Sequence, residues 1–401
     1  MKNRTLLTWF ALGHFANDWS VCSLWLIVPA VGIAMNLSPA EVGLLFTICN
    51  FGGALAYLPA GILADHVSNR GRLLVATFWW VAVGYLLAAM APGFWSLALL
   101  LAIAIMGDAA WHPIASGVLV RENKERRAHV LGIHAIGGSL AEVLSPLAAG
   151  FLLAYIDWRE ALAVSALPAA FMGFFFFIWV ARAVPRVEKK SISQQDMLGL
   201  LDMWRQGHGL RMVAMICLYN MALMALLSMI PLYLADRYGF GPEAAGIAFS
   251  AMLIVGALAQ PWVGKISDIA GRRPVVVFGN LMAALAIGLL VFQPSLWAMI
   301  AAMTAAVAAL KAIRAAVLAG AVDHTGHSEG TTLGLAFALL NGIGALGAVL
   351  AGIAAGFSWS HMFGLAAAFA FFAASLGIVT IFGNAAASVT TKIAECTEES
   401  S

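Results

Sequence analysis

Charge is what this sequence has least of. Only 10% of its 401 residues are charged while 62% are hydrophobic, and the mean hydropathy is +0.91. A chain so poor in polar side chains cannot clothe a water-soluble globule, so lipid must solvate it. A net charge of +2 gives no footing for nucleic-acid binding. The four cysteines, Cys22, Cys49, Cys217 and Cys396, lack the close spacing of a zinc site or a disulfide framework, and read as packing residues. There is no HExxH, no nucleotide-binding P-loop and no Gly-x-Ser-x-Gly elbow, which excludes a zinc peptidase, an ATP-driven pump and a serine hydrolase. The chain therefore reads as a protein that is not an enzyme and needs no cofactor or resident metal. The polar stretches are too short to form the output domain of a sensor.

What is abundant is apolar length. Runs of about 20 residues, enough to cross a bilayer as helix, recur along the whole chain. Twelve are placed at 7–34, 40–64, 73–91, 95–120, 128–155, 160–181, 210–235, 242–264, 274–293, 296–322, 331–357 and 361–384. Continuous runs of this length exclude strands, so the fold is all-α and integral to the membrane. The first run follows Met1-Lys2-Asn3-Arg4 but outlasts a signal peptide and contains Asp18, so it is read as a retained first span. If both termini are cytoplasmic, 18 of the 22 Lys and Arg residues lie on that side. The positive-inside rule then gives cytoplasmic termini in the plasma (inner) membrane.

The stretch 182–209 is the only long polar break and divides the chain nearly in half. This gives an N-terminal six-helix bundle (1–181), a central cytoplasmic linker (182–209), a C-terminal bundle (210–384) and a tail (385–401). The loop after the second span reads Gly61-Ile-Leu-Ala-Asp65-His-Val-Ser-Asn-Arg70-Gly-Arg72. The loop after the eighth reads Gly264-Lys-Ile-Ser-Asp268-Ile-Ala-Gly271-Arg272-Arg273. Aligning Asp65 with Asp268, or Gly132 and Gly150 with Gly334 and Gly352, gives nearly the same offset, as an internal duplication requires. In each copy the glycine would let helices approach, the aspartate would cap the next helix, and the basic cluster would anchor in the interface.

These paired loops resemble the major facilitator superfamily, whose signature here is close to Gly-x-Leu-x-Asp-Arg-x-Gly-Arg-Arg. The second copy fits well, and the first departs at His66, Ser68 and Asn69. The resemblance implies two pseudo-symmetric six-helix bundles, a central cavity lined by spans 1, 4, 7 and 10, and a conformational latch at Gly61, Asp65, Arg70, Gly264, Asp268, Gly271, Arg272 and Arg273.

Each ionisable residue inside a span costs roughly 2.5–3.5 kcal/mol on insertion scales and is a functional candidate by default. His14 and Asp18 in the first span, and Asp108 and His112 in the fourth, stand at i, i+4 on one helical face, so each pair can share a proton. Lys311 and Arg314 in the tenth form a buried cationic patch at i, i+3, and the repeat places His112 opposite Arg314. The candidate proton carriers are His14, Asp18, Asp108, Glu142 and His134. The candidate solute ligands are Lys311, Arg314, His112, Trp111, Tyr219 and Asn220. A structural alternative pairs Asp108 with Lys311 merely to close the bundle.

The fifth span keeps Gly132, Pro146 and Gly150 of the glycine-rich pattern of drug–proton antiporters, with Ala141, Ser145 and Ala149 at its other glycines. His14-x-x-x-Asp18, Trp111-His112-Pro113 and Gly137-Gly138-Ser139 look like the fosmidomycin-resistance branch, which implies efflux. Lys311 and Arg314 are not part of that likeness. The expectation is a monomeric, proton-coupled transporter of a small anionic or zwitterionic organic solute. An anion exchanger without proton coupling and an exporter of cationic drugs or metal ions are the alternatives.

Overall fold

The computed structural model of the chain describes residues 3–122, 126–186, 207–325, 329–380 and 382. Residues 187–206 of the expected linker, and the tail 385–401, lie outside the described residues. Among the described residues twelve helices are long and apolar enough to cross a membrane: α1 (Thr5–Ala34), α2 (Pro39–Leu63), α3 (Arg70–Ala89), α4 (Phe94–Glu122), α5 (His129–Leu153), α6 (Trp158–Val180), α7 (Gly207–Tyr238), α8 (Pro242–Ala270), α9 (Arg272–Leu290), α10 (Leu296–Asp323), α11 (Gly334–Phe357) and α12 (Trp359–Val379). No strand occurs among the described residues. Large side chains such as Trp95, Trp262, Phe278, Phe292 and Trp297 stand exposed around the outside, a surface only lipid can cover.

Local signals start the helices where the polar breaks fall. Ser38 caps α2 in a reciprocal box with Glu41, with Pro39 in the first turn, and Asp157 does the same for α6 with Glu160. Asn69 caps α3 by accepting from the Arg72 amide at 3.1 Å. The expectation that Asp268 caps the following helix is corrected. Gly271 occupies that junction at φ +92°, ψ 158°, a conformation that only glycine adopts without strain, while the Asp268 carboxylate pairs with the Arg272 side chain one turn on. The Asp65 side chain lies outside the described residues.

Within the first half α1 packs on α5, and α4 on α2 and α3; in the second, α7 packs on α11 and α12, and α10 on α8 and α9. Two seams, α2 on α11 and α5 on α8, join the halves. Both seams are tightest at the end of the bundle opposite the termini. A Cβ on Gly352 would come 2.2 Å from the Pro39 carbonyl oxygen, one on Gly43 2.2 Å from that of Ala348, and one on Gly150 2.6 Å from that of Pro242. Gly150 and Gly352 are repeat-related, and so are their partners Pro39 and Pro242. At the basic end, Gly132 and Gly334, also repeat-related, have nothing within 4 Å among the described residues. The halves are thus closed at the end away from the termini.

Gly352→Leu is therefore expected to wedge the closed end apart. With the native cysteines replaced, labelling of Ser38→Cys by a membrane-impermeant maleimide should rise about tenfold over the Gly352 parent, because backbone on both sides leaves no room for a side chain.

Two helices of the second half are interrupted. α10 breaks at Ile313, between Ala312 and Arg314, and α11 breaks between Asn341 and Leu346. Beside the breaks, the Tyr219 hydroxyl donates to the Leu310 carbonyl at 2.8 Å, and the Asn220 amide donates to the Leu340 carbonyl at 2.7 Å. In an apolar surround such carbonyls need a partner, and α7 supplies both from adjacent residues.

Candidate functional site

Four ionisable side chains of the first half meet at one point. His14 Nε2 lies 3.2 Å from Asp18 Oδ2. His112 Nε2 lies 3.6 Å from Asp18 Oδ1 and 3.7 Å from Asp108 Oδ2. Asn17, fully buried, donates to Asp108 Oδ1 at 2.7 Å and to the Asp108 carbonyl at 3.2 Å, which ties α1 to α4. The side chains of His14, Asp18 and His112 keep 14%, 17% and 24% exposure, so the cluster is not fully sealed.

Helix α5 roofs this cluster because its glycines permit it. A Cβ on Gly137 would sit 2.0 Å from the Ala11 carbonyl, and one on Gly138 would sit 2.6 Å from His14 Nε2 and 3.1 Å from Asp18 Oδ2. Gly138→Ala should therefore separate His14 from Asp18. We expect solute flux driven by a pH gradient in proteoliposomes to fall by about tenfold or more, with the far-ultraviolet spectrum unchanged, since one methyl group disturbs geometry more than helix content.

The hydrogen bonds fix where a proton must be. His14 Nδ1 lies 2.9 Å from the backbone carbonyl of His134. A carbonyl only accepts, so Nδ1 carries a hydrogen and Nε2 of the neutral ring carries a lone pair. That lone pair faces a carboxylate oxygen at 3.2 Å, a repulsive contact unless a cation stands between them. One proton, on His14 or on Asp18, removes the conflict. His134 stacks on His14 with ring centroids 4.3 Å apart, and its Nδ1 is 3.2 Å from the Phe10 carbonyl. It therefore holds α5 against α1 beneath the pair.

The second half contributes cations. Lys311, only 4% exposed, pairs with Glu142 of α5 and so links the two halves. The alternative of an Asp108–Lys311 bridge is corrected: Asp108 is held by Asn17 and faces His112, and the lysine finds the α5 carboxylate instead. Arg314, part-buried, is within electrostatic reach of His112 and of Tyr57. Tyr57 lies between the halves, its ring stacked on Phe337 at 5.4 Å and parallel to His112 at 6.3 Å. Sequence reasoning missed Tyr57, because only the placement of α2 brings it beside His112 and Phe337. Asn17 carried a signal, a primary amide beside an aspartate in an apolar span.

The remaining candidates sit elsewhere. Trp111 is wholly buried, stacked on His134 at 5.3 Å and packed against Gly13, so it forms the wall behind the histidines. Tyr219 and Asn220 serve the broken helices. Of the expected latch, Arg272 pairs with Asp268 and, at 3.2 Å, with Asp323, all in its own half; Arg273 is exposed and Arg70 is buried near Gly117 of α4. Gly61 has Pro113 of α4 no closer than 3.9 Å to a built Cβ, and Gly264 has nothing within 4 Å among the described residues. Among the described residues neither glycine has the close helix approach expected of it.

The described residues form twelve helices long and apolar enough to span a membrane, in two pseudo-symmetric halves with ionisable side chains at their centre. The sequence profile of the Major Facilitator Superfamily matches residues 10–256 and 212–395. The chain belongs to that superfamily, whose members are transporters. It is 25% identical over 294 residues to a Haemophilus influenzae protein named for metabolite transport, covering 69% of this chain and 70% of that one. It is 28% identical over 169 residues to a Haemophilus influenzae protein named for sugar efflux, covering 42% of this chain and 41% of the relative. Among solved structures, a bacterial homologue of the lysosomal transporter Spinster superposes with a TM-score of 0.76 at 18% identity, covering 96% of this chain and 99% of that chain. The nucleoside transporter NupG superposes with a TM-score of 0.77 at 13% identity, covering 95% and 99%.

Proposed function

We propose that the chain is a proton-coupled secondary transporter that moves a small anionic or zwitterionic organic solute across the plasma (inner) membrane, with export the favoured direction and the termini cytoplasmic. The observation that carries this reading is the His14 Nε2 lone pair set against Asp18. One proton between the two acceptors removes their conflict in the geometry described, and that geometry is lost when α5, whose His134 carbonyl fixes His14 Nδ1, moves away from α1. His112 and Asp108 extend the path. Arg314 is the anion ligand, since its planar fork suits a carboxylate or phosphoryl group. Lys311 joins it only when Glu142 lets go, by taking up a proton as the solute anion replaces its carboxylate. The solute and the proton are thereby linked through Glu142, each favouring the binding of the other, and rocking of the halves about α2/α11 and α5/α8 exposes the site alternately.

Export rests on the likeness of His14-x-x-x-Asp18, His112-Pro113 and Gly137-Gly138 to the fosmidomycin-resistance branch, and on a relative named for sugar efflux. The paired loops around Asp65 and Asp268 would latch the halves in the state closed at the basic end. The protein is proposed to act as a monomer. The test is transport in proteoliposomes with a panel of organic anions and phosphonates, with and without an imposed pH gradient. Flux that follows the gradient and is lost in Arg314→Ala supports the reading; flux of cations indifferent to Arg314 overturns it.

A further inference from the structure

We propose that His14, Asp18 and His112 form a binding site for a divalent transition-metal ion of the zinc class. The proposal extends the reading above, because the metal would stand where the proton stands, but it rests on donor geometry rather than on transport. The three donor atoms all lie within 4.8 Å of one another, with His14 and His112 Nε2 at 3.2 and 3.6 Å from the Asp18 oxygens. Ligands at 2.0–2.1 Å in a tetrahedron are separated by roughly 3.3 Å, so small side-chain adjustments complete three of four positions.

Two further observations point to a metal. The His14 Nδ1–H is already committed to the His134 carbonyl at 2.9 Å. This outer-shell bond fixes the ring and leaves Nε2 as a lone-pair donor, as metal-bound histidines require. Asn17, fully buried, holds Asp108 in place with one oxygen 3.7 Å from His112 Nε2. With both carboxylates ionised and both imidazoles neutral, as metal ligation requires, the cluster would carry two negative charges that a divalent cation cancels. Imidazole with carboxylate selects zinc, cobalt, iron or manganese over calcium. Among the described residues the other titratable groups facing the cluster include Cys22, Tyr57, Tyr85, His134 and Arg314, reached from α1, α2, α3, α5 and α10; the arginine is the single fixed positive charge among these and would weaken binding without preventing it.

The experiment is metal titration of the purified full chain in detergent without solute, following Zn2+ by calorimetry and Co2+ by its visible d–d bands. One equivalent of Zn2+, intense low-coordinate Co2+ bands, and about a tenfold or greater loss of affinity in both His112→Ala and Asp18→Asn are expected. The surface variants His208→Ala and His361→Ala should bind as the parent does. Thermal unfolding of each variant reports its fold, and Zn2+ should raise the melting temperature of the parent but not of His112→Ala. Absence of stoichiometric binding, or binding unmoved by His112→Ala and Asp18→Asn, overturns the proposal. Solute flux plays no part in these readouts, so the proton-coupling experiment succeeds or fails separately.

Discussion

Replacing Asp18 with asparagine is expected to abolish pH-driven solute movement, by about a hundredfold, the scale on which removal of an obligatory proton carrier is felt. The effect follows from the lone pair on His14 Nε2. An amide at position 18 donates permanently to that nitrogen, which satisfies it without any exchangeable cation. The site is then locked in an imitation of its protonated state, and a proton gradient has nothing to push on. Exchange of labelled for unlabelled solute on the two sides, which needs no net proton movement, should continue in Asp18→Asn at a rate near the parent's. Loss of gradient drive with retained exchange is the diagnostic pair of results. If exchange and pH-driven flux fall together, Asp18 holds the bundle rather than the proton; if neither falls, the proton travels elsewhere.

The second large effect concerns the ion pair across the halves. Lys311 is 4% exposed and Glu142 is 25% exposed, so the two single variants should be unequal. Glu142→Gln leaves an ammonium ion in an apolar setting between α5, α8 and α10, and removing one partner of a buried pair costs about 3–5 kcal/mol. Lys311→Met leaves a carboxylate that water or a proton can reach, and is expected to cost about 1–3 kcal/mol. The double variant should be more stable than Glu142→Gln alone, because it leaves no uncompensated charge. Thermal unfolding in detergent of the four proteins closes the cycle, and additive losses would show that the two groups do not act as a pair. The same ordering bears on transport. If Lys311 is freed for the solute only when Glu142 is neutral, Glu142→Gln should tighten solute binding while flattening its dependence on pH.

Much of this architecture was legible in the chain. Apolar runs of bilayer length, the basic loops and the duplicated motif around Asp65 and Asp268 gave twelve helices in two halves, because hydrophobic length and period are local properties that lipid reads directly. The pairs His14–Asp18 and Asp108–His112 were likewise visible, since i, i+4 spacing on a helix fixes a shared face. Their convergence into one cluster was not, because it depends on α1 and α4 crossing beneath Gly137 and Gly138. The sequence also misdirected at particular residues. Tyr219 and Asn220 looked like cavity polar groups in an apolar span, yet they bond carbonyls beside breaks in α10 and α11 that no helix pattern announced. Trp111 likewise lies wholly within the core.

What the sequence by itself determined is therefore the class: a twelve-helix membrane protein with an internal repeat and costly charges kept at its centre. Each of those features follows from interactions between residues a turn apart or from transfer into lipid. Only the tertiary structure decided the partners. Glu142 rather than Asp108 meets Lys311, Asn17 joins Asp108, and Tyr57 stands between His112 and Phe337. It also decided that the halves close at Gly150 and Gly352. These contacts join residues far apart in the chain, and they are set by how closely backbones can approach where a side chain is a single hydrogen, a steric condition on pairs of helices that no single segment contains.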